Sequence, residues 1–174
     1  YRQSFEPLVP GFSHIPYNKI DALVSAMDDE TAAVILEVIQ GEGGVHVADV
    51  EYIQTVRRVC DERGALLIVD EIQSGFGRTG RMFAIEHFDV IPDLLCCAKS
   101  LAGGVPMGAV LIGENVDNLT PGVHGTTFGG NPLSCAAGLA ALTAIEEEDL
   151  AKQAEEKGAY LKEKLEEINS PLIR

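Results

Sequence analysis

The sequence predicts an α/β protein built on a layered, mostly parallel sheet. Short apolar runs alternate along the chain with segments of amphipathic helical spacing, as in sheets whose strands are joined by helices. Two of the apolar runs lead directly into a charged residue and a glycine-rich turn, at Asp70 and at Lys99. Ligands of such sheets bind beyond the carboxyl ends of the strands, so the sequence predicts a site at that edge.

The composition indicates a single domain and disfavours some classes of binding partner. The chain has 174 residues, enough for one domain with a sizeable core, and a formal net charge of −14. Without a basic patch, that charge disfavours nucleic acid and anionic membranes as partners. No apolar run is long enough to span a membrane, and we expect no signal peptide.

The cysteine pattern favours free thiols in a reducing compartment. Cys96 and Cys97 are adjacent within an apolar run, which suits buried thiols better than a disulfide framework. Cys60 and Cys135 are isolated. No C-x-x-C or histidine-rich spacing suggests a metal site, so we expect a cytoplasmic protein without a bound metal.

The first elements follow from proline content and apolar spacing. Residues 1–19 carry three prolines and little periodicity, which indicates an extended connector. The stretch "TAAVILEVI" (31–39) is a nearly unbroken apolar run, as expected of a strand buried on both faces. Between them, a helix is predicted whose apolar face comprises Ile20, Leu23, Val24 and Met27.

A second helix follows the "GEGGV" turn. Asp49 is a candidate N-cap and Gly64 a candidate stop. Its predicted buried face comprises Val50, Ile53, Val56 and Cys60. Three further strands are predicted at 65–70, 92–98 and 108–113.

The C-terminal third is predicted to be helical. Asn131 and Pro132 form a good N-cap and first-turn pair. The helix that they open has a packing face of small residues, predicted as Ala136, Ala137, Ala140, Ala141 and Ala144. A last helix from Asp149 has an acidic outer face and an apolar stripe of Leu150, Ala154, Leu161, Leu165 and Ile168.

Asp70 ends an apolar strand, where a carboxylate costs free energy unless it is paired or hydrogen-bonded. Taken alone, Asp70 is explained as well by a structural role, as an N-cap or as an ion-pair partner of Arg78, as by a functional one. Lys99 alone is less specific, because most lysines are surface charges. This lysine, however, lies between Ala98 and the turn "SLAGGVPMG". In an apolar pocket walled by glycine, a lysine has a lowered pKa and becomes a nucleophilic amine.

One cofactor would account for both residues. Pyridoxal phosphate has an aldehyde that condenses with a lysine and a ring nitrogen that pairs with an aspartate. An ionised Asp70 would keep that nitrogen protonated, so that the ring can withdraw electrons from the substrate Cα. Lys99, once displaced from its Schiff base by a substrate amine, would carry a proton between Cα and the C4′ atom of the cofactor.

Four segments carry a family resemblance: "EVIQGEGGV", "LLIVDEIQSGFGRTG", "CCAKSLAGGVPMGAV" and "HGTTFGGNPLSCAAG". In this order, and with Lys99 lying 29 positions after Asp70, they resemble the signature segments of class III (fold type I) pyridoxal-phosphate aminotransferases. "FEPLVPGFSHIPYN" and "HGTTFGGNP" are most similar to acetylornithine aminotransferases and to the related enzyme of carrier-protein-dependent lysine synthesis. The resemblance implies part of a three-layer α/β/α large domain.

The resemblance also implies roles for individual residues. Asp70 would bind the pyridine nitrogen, and Lys99 would form the Schiff base. Glu71 and Gln73 would contribute to the cofactor site, Gln73 near the 3-oxygen of the ring. Thr127 would reach the cofactor phosphate across the interface of a homodimer.

Substrate contacts are implied in the same way. Thr126 would lie near the substrate, and Glu42 would face it while interacting with an arginine of the C-terminal domain. Glu37 and Gln40 would support the site. The alternatives are a solvated loop carboxylate for Glu42 and satisfaction of a backbone group for Thr127. Val38 departs from the family, which usually has proline at that position.

The resemblance places residues 1–148 in the cofactor-binding large domain and 149–174 in the connecting helix of the C-terminal domain. We expect a central fragment, since the phosphate loop, the stacking aromatic and the carboxylate-binding arginine of relatives lie outside these segments. The predicted reaction transfers the ω-amino group of N-acetylornithine, or a similar amine, to 2-oxoglutarate in arginine or lysine biosynthesis. The alternatives are an ornithine or 4-aminobutyrate aminotransferase, an aminomutase, or a fragment that keeps only the fold.

Overall fold

The computed structural model describes residues 2–116, 120 and 122–170 of the chain. The helices are α1 (Ile20–Ala26), α2 (Val50–Arg63), α3 (Pro132–Glu147) and α4 (Leu150–Glu167). The strands are β1 (Ala33–Leu36), β2 (Ile39–Gln40), β3 (His46–Val47), β4 (Leu66–Asp70), β5 (Leu94–Cys97) and β6 (Ala109–Ile112). Short 3-10 segments cover Arg2–Phe5, Ala84–Phe88 and Lys99–Ala102.

The main sheet has four strands in the order β1-β4-β5-β6. β4 pairs in parallel with β1 and with β5, whereas β6 is antiparallel to β5. The predicted α/β architecture with a mostly parallel sheet is therefore confirmed. The predicted strand at 31–39 is divided, because the chain turns after β1 and forms the separate β2-β3 hairpin.

One face of the sheet is buried, and the other is largely open. Leu67 and Val69 of β4 are fully buried in a core shared with α2. On the opposite face, Ile35 is 57% exposed and Val110 is 53% exposed. The prediction that residues 31–39 are buried on both faces is wrong, because β1 lies at the sheet edge and the described helices cover one face.

Helices α1 and α2 form as predicted, with small changes in their buried faces. In α1, Val24 is 43% exposed, and the core contacts are made by Ile20 and Leu23 together with Met27, which follows the helix. Gly64 ends α2 in the left-handed conformation (φ 66°), where the absence of a Cβ removes the steric penalty. Asp49 occupies the N-cap position without a side-chain capping bond.

The buried face of α2 differs from the predicted one at its first residue. The face consists of Tyr52, Ile53, Val56, Val59 and Cys60. Val50 is 51% exposed, and its predicted burial is wrong. At 3.6 residues per turn, Val50 lies about 120° around the helix from the centre of the buried face. Tyr52 instead completes the face, and its ring contacts Tyr17 edge to face at 5.8 Å.

Helix α3 begins as predicted but packs through different residues. Oδ1 of Asn131 accepts a hydrogen bond from the amide of Ser134 (2.9 Å), which caps the first turn. The buried residues are Ser134, Gly138 and Ile145. Ala136 and Ala140 are exposed because they lie on the opposite side of the helix, so the predicted small-residue face is displaced around the axis.

The C-terminal part of the apolar stripe of helix α4 is exposed, whereas Leu150 and Ala154 are half-buried. Leu161 is 57% exposed and Leu165 is 41% exposed, and no side chain of α4 is buried. No helix of the described chain is long and apolar enough to cross a membrane. The break between α3 and α4 coincides with the expected boundary at residues 148 and 149, but a separate C-terminal domain stays a prediction.

The cysteines of the described chain are free thiols. Cys60 and Cys97 are buried, and burial raises the pKa of each to about 11. Cys96 and Cys135 are half-buried. Thiols with raised pKa values are poor nucleophiles at neutral pH, so Cys60 and Cys97 act as apolar core residues.

Asp93 ties α2, β4 and β5 together from inside the fold. Its Oδ2 accepts hydrogen bonds from the amide of Leu67 (2.7 Å) and from Nη1 of Arg57 (2.8 Å). Its backbone carbonyl accepts from the amide of Gly113 (2.7 Å), just after β6. Because the side chain is only 7% exposed, these bonds are needed to offset its loss of hydration.

We predict that Asp93→Asn lowers the free energy of unfolding by about 2–4 kcal/mol, since it leaves Arg57 with one partner fewer in a mostly buried setting. Urea unfolding followed by circular dichroism measures the change. The matched control is Asp89→Asn, which removes an exposed charge at a left-handed position (φ 53°) that asparagine tolerates. Equal destabilisation by both substitutions would contradict the role of Asp93.

The effect of Asp93 also depends on pH. Burial alone would raise the pKa of Asp93, but the bonds from Leu67 and Arg57 outweigh burial and lower it. A lowered carboxyl pKa stabilises the fold above the unfolded value of about 3.9, and that contribution is lost as the pH falls through the folded value. The stability difference between wild type and Asp93→Asn should therefore shrink below about pH 4. A difference that stayed constant at lower pH would contradict this account.

Candidate active site

Two adjacent parallel strands bring Asp70 and Lys99 to the same edge of the sheet. Asp70 is the last residue of β4 and pairs with Cys96 of β5. The amide of Glu71 donates to the carbonyl of Cys96 (2.9 Å), so the pairing continues to the end of both strands. Lys99 follows β5 by two positions. A carboxylate and an amine thus lie at neighbouring carboxyl ends, as the strand pattern predicts.

Asp70 is half-buried, and only one of its two carboxylate oxygens is hydrogen-bonded within the described chain. Oδ1 accepts a hydrogen bond from the amide of Ile72 (2.9 Å), which agrees with a local capping role. Oδ2 has no hydrogen-bond partner among residues 2–116, 120 and 122–170. Arg78 is exposed and forms no ion pair with any described residue, so the alternative of an Asp70–Arg78 bridge is wrong.

The backbone at Lys99 is strained. Its φ of 42° lies in the left-handed region that residues with a Cβ rarely adopt. Such strain costs about 1–3 kcal/mol, is held by surrounding structure and clusters at functional sites. Here the 3-10 segment that Lys99 opens is anchored by the buried residues Leu101 and Ala102.

The side chain of Lys99 is exposed, and it makes no hydrogen bond or ion pair with the described residues. The prediction that it lies in an apolar pocket is therefore wrong for the described chain. Two surface concavities, one lined by Glu6, Pro7, Leu8, Phe12 and His14 and the other by the end of α4, include neither Asp70 nor Lys99.

Glu71 points into the protein. It is fully buried, and its carboxylate accepts hydrogen bonds from Oγ of Ser74 (2.5 Å) and from the amide of Ile85 (2.7 Å). Both oxygens are thus used to join the turn after β4 to the 3-10 segment Ala84–Phe88. This geometry argues against the expected cofactor contact and assigns Glu71 to support of the turn.

Gln73 lies against the loop that follows β2. A Cβ placed on Gly41 would overlap Oε1 of Gln73, so the glutamine amide occupies the space above that glycine. The amide of Gly41 in turn donates to Oε2 of Glu37 (3.3 Å). Glu42, the next residue, is exposed. The structure therefore brings the predicted cofactor residue Gln73 against the loop that carries the predicted substrate residue Glu42.

Thr126 and Thr127 lie in an exposed loop before α3. The methyl group of Thr126 folds over Gly129, and Nδ2 of Asn131 donates to the carbonyl of Phe128 (2.9 Å). Neither threonine side chain is hydrogen-bonded to Asp70 or Lys99 within the described residues. Large apolar side chains are exposed around them, with Val123 at 69%, Phe128 at 80% and Leu133 at 74%.

Two glycines that shape the site were missed in sequence reasoning. Gly41 underlies Gln73, and its only signal was its place in the "QGEGG" turn. Gly138 lets α3 approach the Lys99 segment, because a Cβ there would lie 3.1 Å from Sδ of Met107 and 3.7 Å from the carbonyl of Leu101. A lone glycine inside an alanine-rich helix was the available signal for close packing.

The sequence matches a known enzyme family over nearly its whole length. Residues 1–173 match the profile described as Aminotransferase class-III. The chain is 55% identical to an acetylornithine aminotransferase of Methanopyrus kandleri, over 91% of this chain and 41% of the relative. It is 54% identical to a LysW-aminoadipate semialdehyde transaminase of Deinococcus radiodurans, over 100% of this chain and 41% of the relative.

Solved structures agree with the sequence match. An ornithine aminotransferase from Toxoplasma gondii, whose structure has partial occupancy of PLP at the active site, superposes with a TM-score of 0.87 and 46% identity, over 92% of this chain and 38% of that one. An acetylornithine aminotransferase from Elizabethkingia anophelis gives a TM-score of 0.85 and 42% identity, over 92% of this chain and 41% of that one.

These matches fix the family and the extent of the likeness. The chain spans about 41% of the length of the curated relatives from M. kandleri and D. radiodurans. The family profile covers all but the last residue, and the fold agrees with that of the solved relatives. The chain therefore belongs to the class III aminotransferases.

Proposed function

We propose that this chain is part of a pyridoxal-phosphate-dependent transaminase. The reaction that we propose transfers the ω-amino group of N-acetylornithine, or a similar ω-amine, to 2-oxoglutarate. The observation that carries the proposal is the placement of Asp70 and Lys99 at neighbouring strand ends, with one carboxylate oxygen and the amine unpaired among described residues. The match to acetylornithine aminotransferases, including one 53% identical from Methanocaldococcus jannaschii, supports the substrate.

The residues present fit the cofactor. A ring nitrogen needs a carboxylate oxygen that is not already used, and Oδ2 of Asp70 is one. The cofactor aldehyde needs an accessible amine, and Lys99 is exposed and unpaired among the described residues. The amide of Gln73, a residue of the turn after β4, lies over Gly41 and is a hydrogen-bonding group suited to the ring oxygen.

When bound, pyridoxal phosphate would supply an electrophilic carbonyl carbon and an electron-withdrawing ring. Asp70 would then hold the proton on the ring nitrogen through Oδ2, since Oδ1 is occupied by the amide of Ile72. Lys99 would bind the cofactor covalently through its amine. Once released, the amine would take the proton from the substrate carbon that carries the ω-amino group and deliver it to the cofactor side of the transferred nitrogen. The strained backbone at Lys99 would fix the position from which its side chain extends toward the cofactor.

The remaining site residues would orient the reactants. Gln73 would hydrogen-bond near the 3-oxygen of the ring, and Glu42 would face the substrate from the exposed hairpin loop. Thr126 would lie near the substrate, and Thr127 would reach the cofactor phosphate of a second copy of the chain. The exposed apolar side chains beside these threonines, Val123, Phe128 and Leu133, support burial against such a copy.

A second candidate is an ornithine aminotransferase. The T. gondii enzyme of that name superposes as well as the acetylornithine enzyme from E. anophelis, with TM-scores of 0.87 and 0.85. A panel of ω-amine substrates assayed with the whole protein discriminates between the two. We further propose a cytoplasmic homodimer that acts in arginine or lysine biosynthesis, on the basis of the free thiols and of the names of its relatives.

We predict that the purified chain, mixed with pyridoxal phosphate and treated with borohydride, carries a stable adduct on Lys99. The accessible amine beside Asp70 is the only lysine that our proposal places at the ring, so peptide mass mapping should find the label there. Lys99→Ala should abolish this site-specific label. Lys152→Ala, which removes an exposed lysine of α4, should leave it unchanged.

Labels spread evenly over the surface lysines would contradict the proposal. That outcome would favour the remaining alternative, in which the chain keeps the fold of the family without a working site. In Asp70→Asn, borohydride should still fix the cofactor on Lys99, but before reduction the cofactor should dissociate more readily than from wild type. This result would agree with the proposal, because the substitution keeps the bond to Ile72 and weakens only the interaction with the ring nitrogen.

We predict that Thr127→Val and Lys99→Ala copies complement each other. If Thr127 serves the cofactor of a second copy, a mixed dimer has one complete site, formed by Lys99 of the first variant and Thr127 of the second. Mixing the two should therefore restore wild-type cofactor affinity to a fraction of the Lys99 sites, measured by cofactor titration and mass mapping. Sedimentation velocity should show dimers.

The complementation test has a clear negative. A compact monomer that forms the Lys99 adduct with full affinity would rule out a shared site. If the mixture binds the cofactor no better than the separate variants do, Thr127 does not serve the site of a second copy. It would then act in the site of its own copy or only satisfy a backbone group of its loop.

A further inference from the structure

We infer that Gly41 is a positioning residue for Gln73, which it admits to the space directly above its own backbone. The inference rests on the proposed function, in which Gln73 contacts the ring of the cofactor. Through this contact, Gly41 would set how closely the hairpin loop that carries Glu42 approaches the turn that follows Asp70. Any side chain at position 41 would move the Gln73 amide away from the place that our proposal gives it.

The steric relation between the two residues is specific. The three atoms nearest to a Cβ on Gly41 all belong to the carboxamide of Gln73: Oε1 and Cδ, which it would overlap, and Nε2 at 3.3 Å. No other residue is among these nearest atoms. Gly41 also has no positive φ, so its backbone conformation is open to residues with a Cβ. The lack of a side chain is therefore required by Gln73 and not by the backbone.

Gly41 is held in place from both sides. Its amide donates to Oε2 of Glu37 (3.3 Å), and its carbonyl accepts from the amides of Gly44 (3.2 Å) and Val45 (3.3 Å). The carbonyl of Glu37 in turn accepts from the hydroxyl of Tyr17 (2.7 Å). With the hairpin fixed in this way, an added side chain at position 41 cannot easily yield.

The Gln73 amide is the part that can yield. It is the far end of a flexible side chain, and no hydrogen bond anchors it within the described residues. Moving it costs little folding free energy, because the amide has no hydrogen bond to lose among the described residues and a side chain can settle in several staggered rotamers. Gly41→Ala should thus leave the stability of the fold nearly unchanged while it displaces the amide. This separates a positioning role from a structural one.

Gly41→Ala and the matched control Gly43→Ala test the inference. A Cβ on Gly43 would come no closer than 3.7 Å to any neighbour, and Gly43 also has no positive φ. We expect Gly41→Ala to weaken the affinity for pyridoxal phosphate about three- to tenfold, the effect of losing one hydrogen bond. Gly43→Ala should bind as wild type does, and both variants should unfold at the same urea concentration as wild type.

A double-variant cycle shows whether Gly41 acts through Gln73. In a Gln73→Ala background the amide is absent, so adding Gly41→Ala should cause no further loss of cofactor affinity. A loss of the same size in both backgrounds would overturn the inference and assign the effect to the hairpin itself. Equal affinity of Gly41→Ala and wild type would overturn it as well.

A readout without cofactor keeps the two proposals separate. Side-chain amide resonances of Gln73 in the cofactor-free chain should shift in Gly41→Ala and stay in place in Gly43→Ala. Unshifted resonances in Gly41→Ala would overturn the positioning contact whatever the chain binds. Shifted resonances in a chain that forms no Lys99 adduct would support the contact and contradict the proposed function.

Discussion

The parallel pairing of β4 with β5 is the constraint on which the candidate site depends. It places the last residue of one strand, Asp70, beside the end of the next, from which Lys99 follows by two positions. A one-residue slip in register would turn Asp70 toward the opposite face of the sheet. The bond between the Glu71 amide and the Cys96 carbonyl extends the pairing to this edge, and Asp93 fixes its other end through the Leu67 amide.

The turn after β4 connects this edge to three other parts of the molecule. Glu71 anchors it inward, at the segment Ala84–Phe88. Gln73 meets the hairpin at Gly41, and Gly77 and Gly80 meet α4, where a Cβ would lie 3.3 Å from Cα of Ala151 and 2.9 Å from Cβ of Glu155. One acidic residue and three close glycine contacts therefore set the position of a turn that has no regular secondary structure.

Much of the fold was predictable because it depends on local patterns. Apolar runs located β4, β5 and β6, and Gly64 and Asn131 marked helix ends through backbone chemistry that is visible in the sequence. The open face of the sheet was not predictable, since a run such as that of β1 looks the same whether or not a second layer covers it.

The site was predictable in part. The positions of Asp70 and Lys99 could be predicted because both residues follow apolar strands, and the ends of these strands are visible in the local sequence. The inward turn of Glu71 and the exposure of Lys99 depend on which neighbours are present, and no local pattern encodes them. Gly41 was missed for the same reason: its function lies in a contact with Gln73, a residue 32 positions away in the sequence.

If Asp70 and Lys99 serve opposite ends of one ring, the protonation state of the ring nitrogen depends on Asp70. Nitrogen-15 NMR of ring-labelled pyridoxal phosphate bound to the chain measures that state. The ring nitrogen should be protonated in the wild-type complex and unprotonated in Asp70→Asn, with the cofactor still attached at Lys99. The same protonation state in both proteins would show that Asp70 does not face the ring.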